Sequence, residues 1–158
     1  MDAIVKNLNF GNEARVNVFK GIEKLTKAVS STLGASGKCV MLEDHTGNPV
    51  ITKDGVTVAD SIILRDPVEN MGAQLIRQAA EKSATVAGDG TTTATLLAAT
   101  LVNQGVKHVN NGANAVEIKR GIDTAVKTVV DELKNMSIDI TSQEQLKQVA
   151  TISANNDD

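Results

Sequence analysis

Apolar residues recur at spacings of three and four along most of this chain, and that period constrains its fold more than any single motif. Ala14, Val18, Ile22, Leu25, Val29 and Leu33 fall on one face of a helix over residues 12–33. Gly34 and Gly37 then end it, since glycine enters left-handed conformations without steric cost. The period returns at residue 67. Asp66 is placed to cap, Pro67 suits a first helical position and Glu69 completes a capping-box arrangement, which predicts a helix over 67–86. A Gly-Asp-Gly break at 88–90 precedes a helix over 92–109, apolar almost all round and therefore predicted to be buried. Asn110, Asn111 and Gly112 end it, and a further helix over 115–135 carries Ile118, Ile122, Val126, Val129, Leu133 and Met136 as one stripe. Ser142 and Gln145 point to a short fifth helix, with a turn or strand over 150–153.

Only residues 38–64 change period. The β-prone runs 39–42 and 50–52 are separated by the turn formers 44–49, and 56–58 and 62–64 are expected to extend the sheet beyond an Asp54-Gly55 turn. The fold class is therefore mostly α, a helical bundle with a small β-hairpin element. The sheet is too small to be a doubly wound core.

Composition narrows the function. Hydrophobic residues make up 41% and charged residues 22% of the 158, which places the chain in the globular class. With two Phe and neither Tyr nor Trp, the core is aliphatic, and base-stacking platforms or aromatic-lined sugar sites are excluded. Sixteen basic against nineteen acidic residues leave a net charge of −3, which argues against a nucleic-acid partner. The single cysteine excludes an intrachain disulfide and a cysteine-rich zinc site. Residues 94–102, the most apolar run, are too few to span a bilayer, so no membrane partner is expected. The first residues resemble neither a signal nor a transit peptide, and a cytoplasmic location is expected. Cys39 is read as a small core residue in a strand, Met71 as packing, and Lys119-Arg120 as a solvated helix pair. His45 and His108 lack ligand-like spacing and are read as loop and helix-end residues.

Chemistry concentrates in Ala87-Gly88-Asp89-Gly90-Thr91-Thr92-Thr93-Ala94-Thr95. Its glycines let the backbone approach a ligand closely, and three threonines offer hydroxyls beside the unpaired N–H groups of a helix start. Such a terminus carries about half a unit of positive charge and suits a phosphate. Asp89 adds a hard oxygen where a Mg²⁺ bridging phosphate oxygens would sit. The plain alternative is a Thr-capped helix with glycines serving its loop. No Walker A spacing is present. Thr32-Leu33-Gly34-Ala35-Ser36-Gly37-Lys38 is a donor-rich helix exit, or a simple glycine cap. Lys53 beside Asp54 sets a cation and a carboxylate in one turn, or is a solvated pair.

Seven strings stand in order without a large gap: Asn9-Phe10-Gly11-Asn12-Glu13-Ala14-Arg15, Thr32-Leu33-Gly34, Ile51-Thr52-Lys53-Asp54-Gly55-Val56, Glu69-Asn70-Met71-Gly72-Ala73-Gln74, the Ala87 to Thr95 segment, Lys119-Arg120-Gly121-Ile122-Asp123 and Thr151-Ile152-Ser153-Ala154-Asn155. In that order they resemble the N-terminal part of a group I chaperonin, the GroEL type. The resemblance implies a chaperonin equatorial-domain-like bundle, with 1–136 as the N-terminal part of the equatorial ATP-binding domain and 137–158 as the start of the intermediate, hinge domain. It implies an ATP-driven folding machine of stacked rings, with identical subunits, a co-chaperonin and unfolded client proteins as partners. ATP and Mg²⁺ are the implied cofactors, with K⁺ as a further candidate ion. By the same resemblance, Thr32, Leu33, Gly34 and Ala35 line the nucleotide site and Lys53 approaches the phosphates. Asp89, Gly90, Thr91, Thr92 and Thr93 form the phosphate and metal cradle, with Asp89 facing Mg²⁺, and Asp54 is a catalytic acidic position that supports hydrolysis and ion binding.

Two departures from the family pattern stand out. Ala35 and Ser36 replace its usual Pro and Lys, which removes a rigid loop residue and a positive charge. The apical domain, the C-terminal equatorial half and the acidic residue that positions water lie outside this sequence, so a fragment whose own chain does not turn over ATP is expected. The alternative is a truncated, non-enzymatic chaperonin-like protein that binds subunits and modulates ring assembly. A stand-alone nucleotide-binding helical domain is a third reading.

Overall fold

In a computed structural model, which describes residues 8–44 and 46–154, the chain forms two compact units, Met1–Asn103 and Gln104–Asp158. In the first unit, α1 (Gly11–Ser30) packs along α3 (Pro67–Ala87). The two backbones come close enough that a β-carbon at Gly21 would overlap the carbonyl of Glu69, and one at Gly72 the carbonyl of Val18. Both positions need glycine for that reason, which is a packing requirement on each helix rather than a turn. The crossing buries Ile22, Leu25 and Val29 of α1 against Ala73 and Ile76 of α3. The predicted α1 stripe is thus the core face. The core is aliphatic, as the composition requires.

Helix α3 holds its predicted bounds closely. Asp66 accepts from the N–H groups of Val68 and Glu69, both at 2.9 Å, and Pro67 stands in the first turn. The Glu69 carboxylate meets Lys24 of α1 and so adds an ion pair beside the glycine crossing. Helix α1, by contrast, stops at Ser30, short of the expected residue 33. The hydroxyls of Ser30, Ser31 and Thr32 bond back to the carbonyls of Lys27, Ala28 and Val29 at 3.0, 2.7 and 2.8 Å. Those bonds compete with the helical ladder, and the main chain tightens into three-residue turns from Ser31 to Leu33.

The expected hairpin forms from β1 (Val40–Glu43) and β2 (Pro49–Thr52), antiparallel, with Val40 opposite Thr52 and Leu42 opposite Val50. Val40 and Leu42 pack on the core. The sheet goes no further, which corrects the strands expected at 56–58 and 62–64. Residues 55–61 instead form α2 (Gly55–Ser61). Asp54 is the cause: its carboxylate accepts from the Val56 and Thr57 N–H groups at 3.4 and 2.9 Å and from the Thr57 hydroxyl at 2.5 Å. Once capped, the β-prone Val-Thr-Val run turns Val58 and Ala59 into the core. Ile62 is extended but unpaired in any ladder, and its carbonyl accepts from Arg77 of α3 at 2.5 Å.

Helix α4 (Thr91–Asn110) buries only Thr95 and Ala99, so the expected all-round burial does not hold for the described residues. Leu97 and Leu101 are exposed. The boundary between the two units falls within this helix.

In the second unit, α5 (Ala115–Met136) and α6 (Gln143–Ser153) form where predicted. Asn114 caps α5 through the Val116 N–H at 2.8 Å, and Ser142 caps α6 through the Gln145 N–H at 3.2 Å. Residues 150–153 continue α6, which corrects the expected turn or strand. Neither helix buries a residue, and the α5 stripe lies open from Val126 to Met136. Lys119 and Arg120 are solvated, each paired to an acid of its own helix, Asp123 and Glu117. Cys39 precedes β1 and is exposed, and Met71 is 60% exposed, so neither is the packing residue expected. His108 stands in the last turn of α4, and His45 lies outside the described residues.

Candidate nucleotide-binding site

The first unit brings three distant segments to the start of α4. The Thr32 hydroxyl lies 3.4 Å from the Thr92 hydroxyl. Gly55 faces the same threonine: a β-carbon there would collide with Thr92 Oγ1 and touch Val29. The exit of α1, the start of α2 and the start of α4 therefore meet at Thr92. Proton counting fixes the direction of the hydroxyl contact. Thr32 has one proton and spends it on the Val29 carbonyl at 2.8 Å, so Thr92 is the donor and keeps its own lone pairs for another partner.

Loop 88–90 leads into that helix start. Gly88 and Gly90 both hold positive φ, 74° and 75°, which lets the chain leave α3 and enter α4 within three residues. Asp89 Oδ1 accepts from the Gly90 N–H at 2.6 Å, and the Asp89 carbonyl accepts from the Ser83 hydroxyl at 2.7 Å. Inside the helix the Thr95 hydroxyl returns to the Thr91 carbonyl at 2.9 Å, so this buried polar group is satisfied.

The remaining predicted residues surround this junction in sequence. Leu33, 46% exposed, Gly34 and Ala35 continue from Thr32 on the surface, and Gly34 also holds a positive φ of 76°. Lys53 is exposed between β2 and α2. Asp54 is half-buried and directs both carboxylate oxygens to the first turn of α2. Thr91 and Thr92 are half-buried, and Thr93 faces solvent. Gly55 and Ser83 were not singled out from sequence. Gly55 reads as a turn residue after Asp54, and a lone serine late in a helix carries no local signal.

The donor set fits a phosphate with a hard cation: threonine hydroxyls, the first N–H groups of a 20-residue helix, a lysine and one carboxylate. No cluster of three or more His, Cys, Asp or Glu suited to a metal occurs among the described residues. A Mg²⁺ here would take few protein ligands, as Mg²⁺ does when phosphate oxygens and water complete its shell. Two surface hollows of about 300 and 410 Å³ are lined by residues around Ser142 and around the hairpin turn, away from these residues in sequence.

Residues 25–158 match the TCP-1/cpn60 chaperonin family, and the chain belongs to that family. The structure is similar to the crystal structure of a group III chaperonin in the open state, with 28% identity and a TM-score of 0.74. The match covers 92% of this chain and 29% of the other, so the chain spans under a third of that chaperonin's length. The mostly helical fold with its small hairpin is that of a chaperonin equatorial-domain-like fragment.

Proposed function

We propose that this chain supplies the phosphate- and metal-facing part of an ATP-dependent chaperonin subunit that assists folding of non-native proteins in a ring assembly. The observation that carries the reading is the meeting of Thr32, Gly55 and Thr92 at the start of α4. An ordinary capped helix needs no such convergence. The strings quoted above favour the group I type, with the equatorial part at 1–136 and the hinge beginning at 137. Identical subunits in stacked rings, a co-chaperonin, unfolded clients and a cytoplasmic location belong to the same proposal.

In this reading, ATP supplies the phosphoryl group and Mg²⁺ neutralises the charge on its oxygens. The chain's own part is positional. The hydroxyls of Thr91 and Thr93 and the first N–H groups of α4, that of Thr92 among them, receive phosphate oxygens, Lys53 adds a cation, and Asp89 holds the metal. The lone pairs left on Thr92 suit a K⁺ ion. Asp54 caps α2, and so holds Gly55 against Thr92 beside Lys53. Leu33, Gly34 and Ala35 extend the site toward the nucleoside. The chain by itself is expected not to turn over ATP, because the water-positioning acid lies outside it. A second reading, a non-enzymatic protein that binds chaperonin subunits, is favoured by the uncovered apolar faces of α5 and α6.

Titration of this chain with ADP, with and without Mg²⁺, tests the first reading. Asp89→Asn should weaken Mg²⁺-ADP binding by about tenfold or more and leave metal-free binding unchanged. Lys53→Ala should weaken both. Unchanged Mg²⁺-ADP binding in Asp89→Asn, with only about 1 kcal/mol lost in stability, would mean the carboxylate serves its loop alone.

A further inference from the structure

Ser83 behaves unlike its neighbour on the same helix. Two residues on, the Thr85 hydroxyl bonds back to the Glu81 carbonyl at 2.8 Å, the usual habit of a hydroxyl inside a helix. The Ser83 hydroxyl instead reaches forward, beyond the end of α3, to the Asp89 carbonyl at 2.7 Å. The Asp89 carbonyl and the Gly90 N–H belong to one peptide group, which is planar and turns as a unit. Its N–H end is taken by the Asp89 carboxylate at 2.6 Å. Ser83 therefore holds one end of the plane on which that carboxylate rests at the other. The positive φ of 75° calls for glycine at position 90, and Ser83 Oγ stands 3.6 Å from where its β-carbon would lie, an ordinary contact.

We infer that Ser83 is a positioning residue for the Asp89 carboxylate: it fixes the 89–90 peptide and so aims the carboxylate at the Mg²⁺ of a bound Mg²⁺-nucleotide. The inference rests on the nucleotide reading given above. Without the hydroxyl the 89–90 peptide loses the hydrogen bond that anchors its carbonyl, and the carboxylate resting on its N–H end is held less firmly toward the metal.

Two measurements on the whole chain test this. Hydrogen exchange at the Gly90 N–H, which needs no ligand, should quicken about fivefold in Ser83→Ala, the worth of one net hydrogen bond, and return in Ser83→Thr. The dissociation constant for Mg²⁺-ADP should rise about fivefold in Ser83→Ala, that for metal-free ADP should hold, and Ser83→Thr should restore the difference. Unmoved exchange at Gly90 overturns the inference, as does quickened exchange with no change in the Mg²⁺-dependent part of binding. If the unaltered chain binds no Mg²⁺-ADP, the nucleotide reading itself fails and the inference goes with it, an outcome distinct from a failure confined to Ser83.

Discussion

Helices α1 and α5 carry the same kind of apolar stripe, yet one is a core and the other is not. Ile22, Leu25 and Val29 are sealed by α2 and α3, while Val126, Val129 and Leu133 at the same spacing stay open to solvent. Periodicity therefore reports that a face wants a partner, and says nothing of whether the partner lies in the same stretch of chain. What separates the two helices is backbone access. Gly21 and Gly72 let α1 and α3 approach until main chains touch, whereas Gly121 of α5 faces open space.

The sharpest way to break this contrast is to place the same methyl group on both helices. Gly21→Ala should cost more than about 3 kcal/mol, because its β-carbon meets the Glu69 carbonyl and no side chain can move aside. Gly121→Ala should instead stabilise its helix by up to about 1 kcal/mol. Urea unfolding followed by helix content measures both, and effects of the same sign would end the distinction.

A cavity test follows at smaller scale. Leu25→Ala empties a fully buried site and should cost about 3 kcal/mol. Leu133→Ala, at a residue 58% exposed, should stay within about 0.5 kcal/mol. A large loss at Leu133 would show that its face is covered in solution.

The smallest effect belongs to the hairpin turn. Asp44 accepts from the Thr46 hydroxyl and N–H at 2.6 and 2.8 Å and from the Asn48 N–H at 2.9 Å. The Thr46 hydroxyl first, then the two amides, hold its carboxyl below the ordinary carboxylate range. A folded value below the unfolded one means the turn gains stability that is complete above the unfolded value. That gain is lost as pH falls through the folded value. The Thr46 and Asn48 amide shifts should report this loss on acidification, and Asp44→Asn should abolish the titration. A turn that ignores acid would contradict it.

Legibility in the sequence followed the range of the interaction. Helix α3 could be bounded because Asp66, Pro67 and Gly88 act within a turn of its ends. Residues 56–58 of α2 look like strand in the sequence because Val56 and Val58 speak for β structure, while the Asp54 cap that decides the matter needs only three residues to act. The end of α1 slipped because three successive hydroxyls bond back on their own helix. The candidate site was legible only through resemblance. Thr32 and Thr92 stand sixty residues apart, and no local pattern announces that their hydroxyls meet. Ser83, whose partner lies past its helix, left no trace at all.

The glycine crossing also bears on how this fold is recorded in related sequences. At both Gly21 and Gly72 the obstacle is main chain, not side chain. No replacement at Glu69 or Val18 removes a carbonyl, so no second substitution can compensate a first. Two positions in intimate contact should each be invariant and should carry no pairwise covariation, and a contact map inferred from coupled substitutions would leave the centre of this core blank.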